Sequence, residues 1–261
     1  MARHFHCTAC GKCCYGQLPL SLKDAAAGAG RFPLAMMWTT VRPGAKSFAL
    51  TARLGTTVNL GKRKRVAVQI TPVSYIPPSL SCPALAADGR CAIHSEKPSR
   101  CRTMPFYPYR DEADQADLLV PRPGWLCDTS DQSPVVYRDK QIVDRADFDR
   151  ERQDLVVQTP IIRAYAERLM ANAPNVKAAI EAAAKKPRGG TVMLNFSAIV
   201  ARLENLDLAT FATQQLPVLK AFAAKTADLP DTADYHRYYS DTAVGMERLL
   251  GRADVGPHDK K

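Results

Sequence analysis

The hydrophobic pattern of the chain changes period once, near residue 145. Before that point the apolar residues come in short runs cut by Gly and Pro. Residues 47–60 and 65–75 are rich in Val, Thr and Ile, which predicts two strands joined by the basic turn Gly61-Lys62-Arg63-Lys64. Residues 20–29 predict a short helix with Ser21 as its cap and Asp24 three positions on. Residues 135–137 and 141–143, either side of Arg138-Asp139-Lys140, predict a second small hairpin. Pro72, Pro77, Pro78 and Pro83 break the stretch in front of Cys82 into loop.

From about residue 147 the period becomes 3.6. Ile161, Tyr165 and Leu169 fall on one helical face, as do Val192, Phe196, Ile199, Val200 and Leu203. Leu208, Phe211, Leu219 and Phe222 make a third stripe, and Tyr235, Tyr239, Thr242, Met246 and Leu249 a fourth. Pro174 and the run Pro187-Arg188-Gly189-Gly190 separate helices, and Pro217 is expected to kink or restart its helix. Core packing accounts for these stripes, which imply four or five helices in a small bundle and a polar tail from about Asp254.

Composition narrows the class. An apolar content of 46% over 261 residues excludes a fibrous or disordered chain. Thirty-six Lys and Arg against 26 Asp and Glu leave a net charge of +10, which suits an acidic partner without naming one. The longest apolar stretches, such as 192–203, are interrupted by Asn195, Ser197 and Arg202, so none reaches the roughly 18 residues of a spanning helix. No apolar run of signal-peptide length follows the first residues, and the expected location is the cytoplasm, where thiols stay reduced.

The cysteines are the informative feature, because all eight lie between Cys7 and Cys127. The first cluster reads Cys7-Thr-Ala-Cys10-Gly-Lys-Cys13-Cys14. A C-x2-C step lets a tight turn bring two sulfurs to one side, and Gly11 supplies the backbone freedom for such a turn. Three sulfurs at this spacing can wrap one face of a metal centre. Cys14 follows Cys13 directly, so the two cannot easily serve one tetrahedral ion. The same adjacency departs from the C-x3-C-P completion of bacterial ferredoxins. Cys82, Cys91, Cys101 and Cys127 bring the set to eight, enough for two tetrahedral thiolate sites or for one iron–sulfur cluster with extra thiols. Pro98 suits the first position of a short helix carrying Cys101 and Arg102.

The ordered motifs Cys7-x2-Cys10-x2-Cys13-Cys14, Cys82-Pro83-x-Leu85, Gly89-x-Cys91-x-Ile93 and Pro98-x-x-Cys101-Arg102-x-x-Pro105 resemble the YkgJ-like cysteine-cluster (CxxCxxCC) family. That family is described as zinc- or iron-chelating, and flagellin lysine-N-methylase carries a related cluster. The resemblance spans about residues 5–127, and departs from the family at Ala84, His94, Lys97 and Met104. It implies Cys7, Cys10, Cys13, Cys14, Cys82, Cys91, Cys101 and Cys127 as the metal ligands, and an iron–sulfur cluster or zinc as the cofactor.

The expected architecture is α+β: a cysteine-rich, metal-organised domain over 1–135, a C-terminal helical bundle over 136–253, and a polar tail over 254–261. Eight thiolates and two zinc ions would take the charge from +10 to about +6, and Lys12, Arg90, Arg100 and Arg102 stand where they would offset the rest. A structural zinc site contributes roughly 10–16 kcal/mol, as much as a whole domain's net stability, so metal removal is expected to unfold the N-terminal region. Disulfides are the main rival for the cysteines, and a reducing compartment opposes them.

His6 and His94 flank cysteines but suit backbone or solvent roles better, and His4, His236 and His258 have no partner pattern. Lys62-Arg63-Lys64-Arg65 reads as a solvated turn before it reads as a nucleic-acid footprint. Phe106, Tyr107 and Tyr109, set between Pro105 and Pro108, read as packing in an extended loop. Phosphate-cradling, dinucleotide, metalloprotease and serine-hydrolase motifs are absent. Three functions stay open: a metal-binding module, an iron–sulfur enzyme (redox or lysine N-methylase-like), and a nucleic-acid-binding metal module.

Overall fold

In this computed structural model, residues 2–60, 65–204 and 206–254 are described. The basic turn 61–64 and the tail from 255 lie outside the described residues. The strands are β1 (Ala2–His4), β2 (Leu18–Pro19), β3 (Leu34–Val41), β4 (Thr56–Asn59), β5 (Arg65–Ser74), β6 (Val135–Arg138), β7 (Gln141–Ile142) and β8 (Thr191–Asn195). The helices are α1 (Leu22–Ala27), α2 (Phe48–Leu54), α3 (Ser99–Thr103), α4 (Ala146–Asn172), α5 (Pro174–Lys185), α6 (Ser197–Val200), α7 (Leu208–Thr226) and α8 (Ala233–Asp254). The fold class is α+β, with helices dominating the C-terminal part.

The chain divides into two compact units that alternate along the sequence. The first comprises residues 1–14, 37–71 and 84–193, and the second 15–36, 72–83 and 194–261. Strands β3, β5 and β8 contribute residues to each.

In the first unit, β1, β6 and β7 form an antiparallel sheet with β6 in the middle. The β6–β7 turn places Asp139 and Lys140 at φ 49° and 65°, the two positive φ values of a tight hairpin turn. Phe106, Leu119, Tyr137, Ile142 and Phe148 pack together, with Phe5 against them. A second group, Leu50, Leu54, Tyr109 and Leu155, joins α2 to α4. β4 pairs antiparallel with β5 from Thr56↔Val68 to Asn59↔Arg65, which is the expected strand pair in its C-terminal part.

Residues 48–54 are helical, contrary to the strand expected there. Leu50, Thr51 and Leu54 are buried at helical spacing. The helix end is held by Arg163 of α4, whose guanidinium donates to the carbonyls of Ala52, Arg53 and Gly55 at 2.9–3.2 Å. Arg42 serves α5 in the same way, donating to the Ala184 and Lys185 carbonyls. β3 gave no strand signal in the sequence: its apolar run Leu-Ala-Met-Met-Trp hides a burial that alternates only from Met36 to Val41.

In the second unit, Ser21 caps α1 as expected, accepting the Asp24 N–H at 3.0 Å. β2 pairs with the end of β5 at Leu18↔Ser74 and Pro19↔Val73. Residues 192–203, expected as one helix, instead give β8 and then the short α6. Pro217 does not restart its helix, and α7 runs through it. Both Pro217 and Thr213, whose carbonyl loses its donor, are exposed, so water can serve that carbonyl. Gln215, 1% exposed, accepts the Leu34 N–H at 3.0 Å and donates to the carbonyls of Phe32 (2.8 Å) and Ala29. Tyr75, Tyr235, Tyr238 and Tyr239 gather beside Phe222, with Tyr75 and Tyr235 stacked at 4.3 Å.

Candidate metal centre

All eight cysteines are free thiols, so the structure contains no disulfide competing for them. The N-terminal cluster is a loop shaped by two left-handed residues, Ala9 at φ 55° and Gly11 at φ 69°. The Cys14 N–H closes the turn on the Gly11 carbonyl at 3.0 Å. Gly11 is required twice over. Its φ disfavours a side chain, and a Cβ there would stand 2.8 Å from the Gly89 carbonyl oxygen and 3.2 Å from Leu85 Cδ1. The turn is therefore seated on the small hairpin that carries Cys91, where Leu85 bridges Cys91 and Ala92 donates to Ala84.

The other wall comes from residues 126–128. His6 and Asp128 exchange both backbone hydrogen bonds, at 2.7 and 3.0 Å, and Thr8 Oγ1 donates to the Leu126 carbonyl at 3.0 Å. Cys127 is thereby brought beside the N-terminal cluster. Its thiol pKa is raised by burial, then by the charges of Cys10, Cys7 and Cys13 in that order. The Cys10 thiol is pushed down, chiefly by the backbone N–H of Lys12 and then that of Leu126, both donating to its sulfur. The Cys13 thiol is lowered to about 6, mainly by a hydrogen bond from Cys14, with its own backbone N–H and the charge of Lys97 assisting against desolvation.

Cys101 sits in the first turn of α3, its N–H on the Pro98 carbonyl at 2.8 Å. This short helix is clamped to α4. Ser99 Oγ donates to Asp154 Oδ2 at 3.1 Å, Thr103 Oγ1 to the Asp147 carbonyl at 3.2 Å, and buried Arg100 faces buried Glu151 at 3.4 Å. Cys82 belongs to the second unit, directly after Ser81, which bridges Tyr15.

Arg100 pairs with Glu151 and the Phe106 carbonyl while its charge also reaches Cys101, and Arg102 donates to the carbonyls of Lys97 and Ser95. The cation whose charge reaches Cys13 is Lys97, which the sequence marked only as a departure from the family pattern. Among the histidines, His6 is bound into the bridge through its backbone, and His4 Nδ1 and His236 Nδ1 lie 2.7 and 3.0 Å from the carbonyls of Ser133 and Ala223.

The donor chemistry suits zinc or iron: soft sulfurs, all reduced, two of them with the thiolate favoured. Cys7, Cys10, Cys13 and Cys127 are electrostatic neighbours, and Cys14 bonds Cys13. Among the described residues, no three His, Cys, Asp or Glu side chains are gathered tightly enough to hold an ion as they stand. No helix among them is long and apolar enough to cross a membrane.

Comparison with curated proteins and with solved structures finds no match. A family model does match residues 6–121, under the description "Putative zinc- or iron-chelating domain". Cys127 falls beyond the matched span and joins the cluster through the fold alone. Residues 6–121 of this chain, which include the turn carrying Cys10, Cys13 and Cys14, are thus similar to the CxxCxxCC family of zinc- or iron-chelating domains.

Proposed function

We propose that the protein chelates a transition metal, with Cys7, Cys10, Cys13 and Cys127 holding one centre as zinc or as an iron–sulfur cluster. Cys14, Cys91 and Cys101 are the further donors of the same unit, and Cys82 is a separate candidate donor in the second unit. The observation that carries this reading is Cys127. It is remote in sequence from the N-terminal cluster, yet its thiol feels the charges of three of that cluster's cysteines. Thiolates brought this close repel one another, a cost that a bound cation removes. When bound, zinc supplies a cross-link between loops, and an iron–sulfur centre adds one-electron chemistry.

A reducing compartment such as the cytoplasm suits these thiols, and the net charge of +10 suits an acidic partner.

Elemental analysis and visible absorption of an anaerobic preparation test the proposal directly. Iron with sulfide gives a brown protein and zinc a colourless one; a metal-free, folded chain would refute chelation. Neither of the two apolar groups described above contains a cysteine, which narrows the expected effect of a chelator. Residues 6–14 and 120–128 should become protease-sensitive while the helical circular dichroism of α4 and α5 persists. Cys10→Ser should lose metal.

A further inference from the structure

Lys185-Lys186-Pro187-Arg188-Gly189-Gly190 joins α5 to β8, and its three cations are exposed. Basic residues at a helix C-terminus commonly serve the last carbonyls. In α5 that task falls to Arg42, just past the end of β3. Its Nε and Nη2 donate to the Ala184 carbonyl at 3.2 and 3.0 Å, and Nη2 also to the Lys185 carbonyl at 2.6 Å. Among the described residues, none of Arg42, Lys185, Lys186 and Arg188 forms an ion pair with a carboxylate, that of Glu181 one turn earlier included. β3, α2, β4 and β5 add no acid, because no Asp or Glu occurs between Asp24 and Asp88. The turn is also fixed in place. The Thr40 N–H donates to the Gly190 carbonyl and the Gly190 N–H to Thr40 Oγ1, both at 3.0 Å. Gly189 holds φ 77°, and a Cβ there would collide with the Thr40 carbonyl oxygen. Beside Gly190, the exposed Thr39 and Thr191 hydroxyls lie 3.3 Å apart.

We propose that the turn between α5 and β8 docks the phosphodiester backbone of a nucleic acid. Lys185, Lys186 and Arg188 neutralise phosphates there, and the Thr39 and Thr191 hydroxyls donate to phosphate oxygens. Cations crowded on a fixed turn without carboxylate partners repel one another, and a polyanion relieves that repulsion. A nucleic acid suits so small a cluster because each phosphate neutralised releases condensed counterions, which supplies binding without a large interface. A membrane surface suits it less. Anchoring there draws on buried apolar side chains, and the large apolar residues exposed among the described residues, Val156 and Val157 for example, lie outside the turn. The contacts go to the backbone, so the expected binding carries no base preference. This function is independent of the metal centre and uses none of its residues.

The test is fluorescence anisotropy of the full chain with a labelled single-stranded RNA and a labelled DNA duplex, each about 20 nucleotides long, over about 20–200 mM salt. The variant Lys185→Gln/Lys186→Gln/Arg188→Gln should bind roughly tenfold or more weakly at the lowest salt. Its slope of log affinity against log salt should be shallower by roughly 2 for the single strand and roughly 3 for the duplex, the share of three phosphate contacts. The charge-matched variant Lys225→Gln/Arg248→Gln/Arg252→Gln, three exposed positions of the second unit, should lose less than about twofold, which separates this site from net charge. Circular dichroism checks that each variant is folded, and Arg188→Gln alone, with a slope change of roughly 1, replaces the triple variant if that one is not. The nucleic acid bound more tightly names the preferred form. Equal losses in the two triple variants, or no binding of either nucleic acid by the wild type at the lowest salt, would overturn the proposal. So would tighter binding to polyglutamate or to phosphatidylglycerol vesicles, which would assign the turn to an acidic protein or to a membrane.

Discussion

Gly11 and Gly89 provide a matched pair of perturbations at the cysteine cluster. Both hold positive φ, 69° and 81°, so alanine at either incurs the left-handed penalty of about 1–2 kcal/mol. Their surroundings differ. A Cβ at Gly89 meets nothing within 4 Å, whereas a Cβ at Gly11 lies 2.8 Å from the carbonyl oxygen of Gly89 itself. Backbone cannot swing aside as a side chain can, so Gly11→Ala adds an overpacking cost of about 1–3 kcal/mol and pushes the Cys10–Cys14 turn off the Cys91 hairpin. At about 1.4 kcal/mol per decade, the excess is roughly 5- to 150-fold in metal affinity if the turn must be seated for the sulfurs to converge. Competition against a chromophoric chelator measures both variants. Equal affinities for Gly11→Ala and Gly89→Ala would refute the reasoning, because the close approach would then contribute nothing to the site.

Arg100→Met leaves Glu151 buried without its cation and should cost about 3–5 kcal/mol in urea unfolding, with much of it restored in the double variant Arg100→Met/Glu151→Leu. Gln215→Leu strips three backbone groups of their buried partner and should cost about 2–4 kcal/mol in the second unit, read as a lower urea midpoint. In metal-free protein, iodoacetamide labelling of Cys13 should reach half its maximal rate near pH 6, and Cys14→Ala should move that midpoint upward by removing the donor. The sign follows from a folded pKa below the unfolded one. The Cys13 contribution to stability is complete above the ordinary thiol range and is lost as pH falls through about 6, so a labelling midpoint near 8.5 would contradict it.

Local chemistry made part of this molecule legible. Ser21 caps α1 because its hydroxyl reaches Asp24, a contact three residues long. The β6–β7 hairpin turns at Asp139 and Lys140, and Pro174 opens α5, for equally local reasons. The errors fall where distant groups decide. Residues 48–54 are a helix whose last carbonyls are held by Arg163, more than a hundred positions away. Residues 191–195 are a strand beside β3, where the Thr40 N–H donates to the Gly190 carbonyl at 3.0 Å. A short apolar run is compatible with either state until a neighbour claims its hydrogen bonds.

The same division holds at the metal centre. The spacing of Cys7, Cys10 and Cys13 announces a tight turn, and Gly11 marks where that turn bends. The resemblance named Cys127 among the ligands, but by what route it and other remote groups meet that turn was not written in the sequence. Cys127 arrives through the pairing of His6 with Asp128, and Lys97 is the charge that reaches Cys13 while Arg100 turns inward to Glu151. A chain's short-range pattern fixes dihedral preferences and the turns they allow. Partners separated by a hundred residues are chosen by the packing and hydrogen bonding of the whole fold, which only the tertiary structure displays.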